Sequence, residues 1–442
     1  MSDDEVTPTP TPTPTPGEVR PNAALWAEVQ DWLAENWDPD RSVDEWWKVV
    51  ASAGWTAPHF TPDQGGRGLP RRVVRTVRSA FKSFGALRPP GGLGLLMAAP
   101  TILTHGTPGQ IDRLVPSILD GQAAWCQLFS EPGAGSDLAG LTTRATKDGD
   151  RWIIRGQKVW SSQAVGADYG MLLARTNFDV PKHQGISWFA FRLDQPGVTV
   201  RPLREMTGDA VFNEIFLDDA VCDDHDLIGG LDNGWSVTQT TLHFERTGIG
   251  AGGIHAGFPE PGRRGGMLGR SAGDAALEEP EDEKLTLGHS DVVELARRFD
   301  RLSDPLIRQQ LARLYVLSET GLWNAQRGRA EAKRGGGQAV ASTGKLSQTR
   351  IVKLAAGLAT EIAGPHGLLW GPDAIEGGTV SKAMVFSAAS SIYGGTDEIQ
   401  HNIIAERTLG LPREAAPDRT RPFGDVLRDH APVDGSKTPA SH

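Results

Sequence analysis

The apolar pattern of this chain changes period twice, and that limits the folds open to it. Up to about Asp120, apolar residues recur three and four apart. Ala24, Leu25, Trp26, Val29, Trp32 and Leu33 line one face of a helix, and Trp46, Trp47, Val50 and Ala51 line another within Val43–Ala53. Gly54–Pro70 is rich in glycine and proline and reads as a loop. Arg71–Phe84, Gly94–His105 and Thr107–Asp120 continue the helical pattern, with Thr107 suited to an N-cap and Pro108 to the first turn. Near Ala123 the period drops to two. Arg151–Val159 alternates as a strand after Asp148-Gly149, a hairpin signal, and short apolar runs follow at Met171–Ala174, Ile186–Phe191, Val198–Val200 and Glu214–Leu217. Helical spacing returns at Gly234 and continues over His289–Phe299, Pro305–Ala330, Ser342–Ala363, Ser381–Ser391 and Thr396–Thr408. The order predicts an α+β multidomain chain. A helical domain over 22–121 precedes a β domain over 122–233, and a helical bundle over 234–415 closes the chain.

Composition places the segments that such a core does not need. Of 442 residues, 53 are Gly and 30 are Pro, yet 38% are apolar and 13 are Trp, too many large aromatics for a disordered protein. The excess belongs to loops and tails. Residues 1–21 hold a Thr-Pro leader and 416–442 a polar tail, both expected to be disordered; 252–288 reads as a flexible insertion. The formal net charge of −10 argues against sequence-independent nucleic-acid binding, which needs clustered Lys and Arg. Two cysteines exclude a disulfide framework and a multi-cysteine zinc site, and no metal is expected. The N-terminus has no secretory pattern and no stretch approaches the ~18 apolar residues of a membrane span. The expected location is cytoplasmic.

Two segments carry chemistry. Ser130-Glu131-Pro132-Gly133-Ala134-Gly135-Ser136-Asp137 is a loop whose glycines allow backbone N–H groups close to a ligand, as phosphate or an anionic heterocycle requires. It has neither the Walker spacing nor the strand-GxGxxG-helix context of a dinucleotide fold. Tyr393-Gly394-Gly395-Thr396 leads into a helix N-capped by Thr396, with Asp397 and Glu398 in its first turn. Either segment alone also reads as a tight loop or an ordinary capped turn.

Together they resemble the acyl-CoA dehydrogenase family. That family has the same α–β–α order, a Glu-Pro-x-Ala-Gly-Ser-Asp loop, a following Lys-x-Trp and a late Gly-Thr-x-x-Ile-Gln helix. Here these are Glu131–Asp137, Lys158-Val159-Trp160 and Gly395–Gln400. The resemblance runs from about Ala23 to Arg413, and looks nearest to bacterial members of acyl-CoA or steroid side-chain degradation. It implies FAD, an acyl-CoA thioester, α,β-dehydrogenation with electrons passed to an electron-transfer flavoprotein, and a homo- or hetero-oligomer. It also implies roles for single residues. Phe129 and Ser130 match positions at the flavin ring. Gly135 and Ser136 match the loop near the pyrophosphate, with Ser136 also near acyl-CoA. Trp160 and Ser162 match a pair at the isoalloxazine, and Thr396 and Glu398 match positions near the ADP part. Glu361, Gly364 and Gly367 match a segment that reaches a neighbouring subunit's FAD.

The base is displaced from its commonest place. Many members carry a catalytic Glu directly before Gly-Thr, and this chain has Gly394 there. Gly394 can still offer its backbone N–H to a thioester carbonyl. A minority of the family places the base on an earlier helix, one residue before an Arg. The match here is Glu245 followed by Arg246, with Arg246 near the acyl-CoA. A Glu-Arg pair on a helix face is also an ordinary structural feature. The family's Arg-x-x-Phe-Gly is absent, with Arg298 or Arg301 as loose substitutes. Two alternatives therefore stand beside the dehydrogenase: a non-catalytic or half-site subunit of a hetero-oligomer, and a flavin-dependent acyl-CoA oxidase.

Overall fold

The computed structural model describes residues 22–249, 261–278, 285–332, 334, 338–371, 374–413 and 417–430. The Thr-Pro leader, residues 252–260 and 279–284 of the expected insertion, and the end of the tail lie outside them. The described chain forms two compact units, one from the residues up to Pro89 together with Arg270–Glu278, the other from Pro90–Gly269 and the residues from Glu279 onward. The helices expected over 94–120 thus group with the β domain's unit.

The first unit is built on α1 (Ala23–Asn36), α2 (Val43–Ser52) and α3 (Val74–Phe84). A capping box between Ser42 and Glu45 starts α2. Its core is tryptophan-rich. Trp46 and Trp47 are fully buried, and their indole N–H groups donate to the carbonyls of Leu87 at 2.8 Å and Arg88 at 3.0 Å. Those bonds let large polar-tipped rings be buried without an orphaned donor.

The second unit holds the sheet. Before it come α4 (Ala99–His105) and α5 (Pro108–Leu119), and then β1 (Trp125–Leu128), β2 (Arg144–Asp148), β3 (Arg151–Ser162), β4 (Tyr169–Arg175), β5 (Ile186–Arg192), β6 (Val198–Leu203), β7 (Phe212–Asp223) and β8 (Leu227–Ile228). The 8-stranded sheet runs β6-β7-β3-β2-β4-β5-β8, with β1 parallel to β4 off that path. The β2–β3 hairpin closes at Asp148 opposite Arg151, where Asp-Gly predicted a turn. One sheet face buries Leu128, Trp152, Ile154, Leu172, Phe189, Phe191 and Ile215.

The helix α6 (Gly234–Ile249) leaves the sheet. Then come α7 (Ala272–Leu277), α8 (His289–Arg298), α9 (Pro305–Ala332), α10 (Gln338–Ala363), α11 (Thr379–Ser387), α12 (Asp397–Ile403) and α13 (Phe423–His430). The bundle core joins Val292 and Ala296 of α8, Ile307 and Leu314 of α9, and Ala355, Ala359 and Ile362 of α10. No described helix is long and apolar enough to cross a membrane.

Two helices stand where the sequence predicts none. The helix α7 falls inside the segment expected to be a flexible insertion. Ser271 caps it and also donates to the Pro39 carbonyl at 2.9 Å, Val43 N donates to Arg270 O at 2.9 Å, and Ala272 and Ala275 are buried. Its anchors are a hydroxyl, backbone groups and two methyls, which hydrophobic periodicity does not register. The helix α13 falls inside the tail expected to be disordered, and Phe423 is buried. Of its apolar side chains Phe423 alone is buried, with Val426 and Leu427 half-buried, too short a run for a periodic signal.

Cys126 and Cys222 are both free and buried. Burial pushes the Cys126 thiol up to about 12 and raises Cys222 as well. Neither has usable thiolate at neutral pH. A disulfide thiol reagent is expected to modify neither in the native protein and both after unfolding. Rapid labelling of native protein would contradict that burial.

Candidate functional site

The loop after β1 is held by a buried ion pair. Lys158 of β3 is 0% exposed, and its ammonium donates to Glu131 Oε1 at 2.8 Å and to the Phe129 carbonyl at 3.0 Å. Glu131 also accepts from Thr142 N at 2.7 Å, Thr142 Oγ1 at 2.9 Å and Thr143 N at 2.9 Å. Burial by itself would raise the Glu131 carboxyl. Lys158 and these hydrogen bonds overcome it and hold the group at about 2. Burial lowers the Lys158 ammonium, and Glu131 opposes that. Val159 N donates to Ser130 O at 2.9 Å, so β3 and the loop are stitched at successive residues.

The loop itself is a tight turn. Glu131 and Ala134 exchange both backbone hydrogen bonds at 3.0 Å, which throws Pro132 and Gly133 outward. Phe129 is buried and Ser130 half-buried, while Gly135 and Ser136 are exposed. A Cβ built on Gly133 or Gly135 would meet nothing within 4 Å. Asp137 ends the loop and accepts from Lys182 Nζ at 2.7 Å.

Trp160 follows on β3 in an unusual backbone. Its φ is 62°. The pairing of β3 with β7 shifts between Lys158↔Ile215 and Ser161↔Asn213, so two residues face one. A bulge re-aims a side chain at the cost of local strain. Here it turns Trp160 out of the sheet's core: the side chain is 56% exposed and rests edge-on against Phe212 at 5.7 Å. Beside it, Asn213 Nδ2 donates to Ser161 O at 2.9 Å. The buried Ser161 Oγ and Asn213 Oδ1 have no hydrogen-bond partner among the described residues. Ser162 is half-buried and pairs with Phe212 across the strands.

The helix α6 brings Glu245 to β1. Gln127 of β1, two residues before Phe129, donates its Nε2 to Glu245 Oε2 at 3.2 Å. Glu245 is half-buried. The entry of α6 is fixed by close approach, because a Cβ on Gly234 would lie 2.6 Å from Ser187 backbone. Thr101 Oγ1 then meets Thr241 Oγ1 at 3.1 Å and His105 Nε2 meets Thr240 Oγ1 at 2.8 Å. Arg246 is the next residue of α6, and its side chain lies outside the described residues.

The second motif forms its own cluster. Gly394 and Gly395 have φ of 65° and 88°, a left-handed pair that disfavours any residue with a Cβ. Gln400 Nε2 donates to Gly394 O at 3.3 Å, and Thr396 Oγ1 caps α12 by accepting from Ile399 N at 3.2 Å. Glu398 is exposed. Lys345 of α10 lies under this turn. Its ammonium donates to Ser390 O and, at 3.2 Å, to Thr349 Oγ1, and its Cε stands 3.8 Å from where a Gly394 Cβ would be. Burial lowers the Lys345 ammonium from its ordinary value, and Asp397 opposes that.

Glu361, Gly364 and Gly367 sit where α10 ends. Glu361 is exposed, Gly367 is buried, and Ser381 Oγ donates to Gly367 O at 2.8 Å. Among the described residues no hydrogen bond or ion pair joins these three to the 130–137 loop. Of the loose substitutes for the missing arginine motif, Arg301 pairs with Asp304 at 2.9 Å.

Sequence reasoning missed Gln127, Lys345 and the Glu131–Lys158 pair as a unit. Lys158 had a readable signal: it shares strand parity with the inward Trp152 and Ile154, so alternation puts its charge on the buried face.

Comparison with known proteins places this α–β–α chain, with its glycine-rich loop stitched to a tryptophan-bearing strand, in a class of acyl-group oxidoreductases. Residues 126–220 match the family model for the acyl-CoA dehydrogenase middle domain, and residues 291–409 the model for the C-terminal domain. The acyl-CoA dehydrogenase IpdE1 of Mycobacterium tuberculosis is 37% identical over 411 residues, covering 88% of this chain and 97% of that protein. The solved steroid acyl-CoA dehydrogenase Tcur3481-Tcur3483 superposes with a TM-score of 0.68 at 26% identity, covering 89% of this chain and 98% of that one. The ChsE4-ChsE5 complex from Mycobacterium tuberculosis gives a TM-score of 0.65 at 26% identity, covering 90% and 100%. This chain belongs to the acyl-CoA dehydrogenase family and is an enzyme of that FAD-dependent class.

Proposed function

We propose that this chain is a FAD-dependent acyl-CoA dehydrogenase with Glu245 as its catalytic base. The observation that carries the reading is the Gln127–Glu245 contact at 3.2 Å. It fastens a carboxylate to β1 two residues before the loop that resembles the flavin-ring segment, while position 394 offers no side chain.

The residues present fit a flavin. Trp160 is turned out of the sheet's core with nothing in the core to gain from it. Gly133 and Gly135 leave open space that the chain does not use. Ser161 Oγ and Asn213 Oδ1 leave buried polar atoms unpartnered beside Trp160. Phe129, Ser130, Gly135, Ser136, Trp160 and Ser162 would hold the cofactor, with Thr396 and Glu398 toward its ADP end. Glu361, Gly364 and Gly367 would serve the FAD of a neighbouring subunit. Bound there, FAD supplies the acceptor for the substrate's β-hydrogen as hydride.

The chain's own residues do the rest. Glu245 removes the α-proton, and Gln127 steadies its carboxylate through one oxygen. The Gly394 backbone N–H steadies the charge that grows on the thioester carbonyl. Arg246 and Ser136 orient the acyl-CoA. The printed description of one neighbour as a steroid acyl-CoA dehydrogenase supports a substrate from steroid degradation; in this reading electrons pass to an electron-transfer flavoprotein.

A second reading has support of its own. Two of the neighbours carry paired names, one of them a complex. In that reading this chain is one half of a hetero-oligomer. Purifying the chain alone and counting FAD per chain separates the two. About one FAD per chain is expected. A colourless protein that takes up FAD only with a partner subunit would favour the half-site.

A further inference from the structure

We propose that the C-terminal helix α13 is a clamp in cis on the ligand-binding loop, with Phe423 and Arg175 as positioning residues. This rests on the reading of the 130–137 loop given above.

Arg175 ends β4 and is fully buried. Its guanidinium pairs with no carboxylate among the described residues. It spends its N–H groups on carbonyls: Ala139 at 2.6 Å, Leu141 at 3.2 Å and Lys182 at 2.7 Å. Ala139 and Leu141 directly continue the Ser130–Asp137 loop. Lys182 in turn grips Asp137, the last residue of that loop, through both carboxylate oxygens at 2.8 and 2.7 Å. The turn 176–184 and Arg175 therefore hold the loop's exit from two sides.

The helix α13 is seated on this same turn. Phe423 N donates to Val180 O at 2.9 Å and Gly424 N to Phe178 O at 2.8 Å. The Phe423 ring lies 4.0 Å from the Arg175 guanidinium carbon and stacks on Phe178 at 6.2 Å. A buried guanidinium that no carboxylate touches is costly to keep charged, although Glu131, Asp137 and Asp232 nearby favour its charge. The helix α13 sets the ring of Phe423 against it, and cation–π attraction is strongest when both partners are out of water. Burial lowers Arg175 to about 10, which still leaves it charged at neutral pH. Removing the ring would open the guanidinium to water and loosen the carbonyls it orders.

The test uses the full chain, flavin-free and flavin-loaded, with Phe423→Ala, Phe423→Tyr and the control Arg428→Ala. Arg428 lies on the exposed side of the same helix, paired with Asp425. Amide hydrogen exchange over Leu138–Thr143 is read in the flavin-free protein, and FAD affinity by fluorescence titration. Phe423→Ala is expected to speed exchange in that segment and weaken FAD binding, each about tenfold, the scale of a desolvated cation–π contact. Phe423→Tyr restores both, and Arg428→Ala changes neither. Wild-type exchange and affinity in Phe423→Ala would overturn the clamp, as would equal losses in Phe423→Tyr. If wild-type protein binds no FAD, the cofactor reading fails, and the exchange measurement still decides the clamp.

Discussion

Glu245→Gln is expected to slow reduction of the bound flavin by acyl-CoA between about 10²- and 10⁴-fold, the range a positioned general base supplies. Flavin content and thermal stability should stay near wild type. The amide is nearly the same shape, and its oxygen can still accept from Gln127 Nε2, so the contact between α6 and β1 survives. Only the capacity to take a proton is lost. Adding Gly394→Glu is expected not to restore the rate. The backbone there has φ 65°, which strains any residue with a Cβ, and Lys345 Cε lies 3.8 Å from the new Cβ. A carboxylate at 394 would fall beside a cation and be paired with it. Stopped-flow absorbance of the two variants checks both statements. An unchanged rate in Glu245→Gln would remove the base assignment.

Lys158→Met is the change expected to cost most in stability. It leaves the buried Glu131 carboxylate without its cation, and breaking a buried pair from one side costs about 3–5 kcal/mol. Adding Glu131→Gln should recover much of that, because no uncompensated charge remains. The pH dependence has a definite sign. Glu131 sits at about 2 in the folded protein against an ordinary 4.5. Its stabilisation is complete above pH 4.5 and is lost as pH falls toward 2. The gap between wild type and Lys158→Met should therefore narrow as pH drops below about 4.5. Thermal unfolding across that range checks it, and a gap that widens would contradict the pairing. FAD affinity should fall with stability, since Lys158 also holds the Phe129 carbonyl at 3.0 Å.

The layered order was legible because each layer repeats its pattern. The helices α1, α2 and α10 bury one face over several turns, and β4 and β5 are continuous apolar runs. Three things were not legible. The helices α7 and α13 are 6 and 8 residues long and dock through a hydroxyl, small methyls or a single ring, below what periodicity detects. Trp160 shares parity with the inward Trp152 and Ile154, so strict alternation would bury it; the bulge after Lys158 reverses its side. Gln127 and Lys345 are far in sequence from the motifs they serve. The contact of Gln127 with Glu245 spans 118 residues and exists only once α6 packs on β5. The family motifs located the loop, the tryptophan and the glycine turn, and the resemblance to members with the base on an earlier helix singled out Glu245. How those parts are braced is a property of the packed chain.

The most direct test mixes the purified chain alone, without oxygen, with a steroid side-chain or fatty acyl-CoA and follows the flavin's visible absorbance. Wild type is expected to bleach stoichiometrically and Glu245→Gln almost not at all. Wild-type protein that carries flavin but stays yellow with acyl-CoA, or that bleaches only after a partner subunit is added, would contradict this expectation.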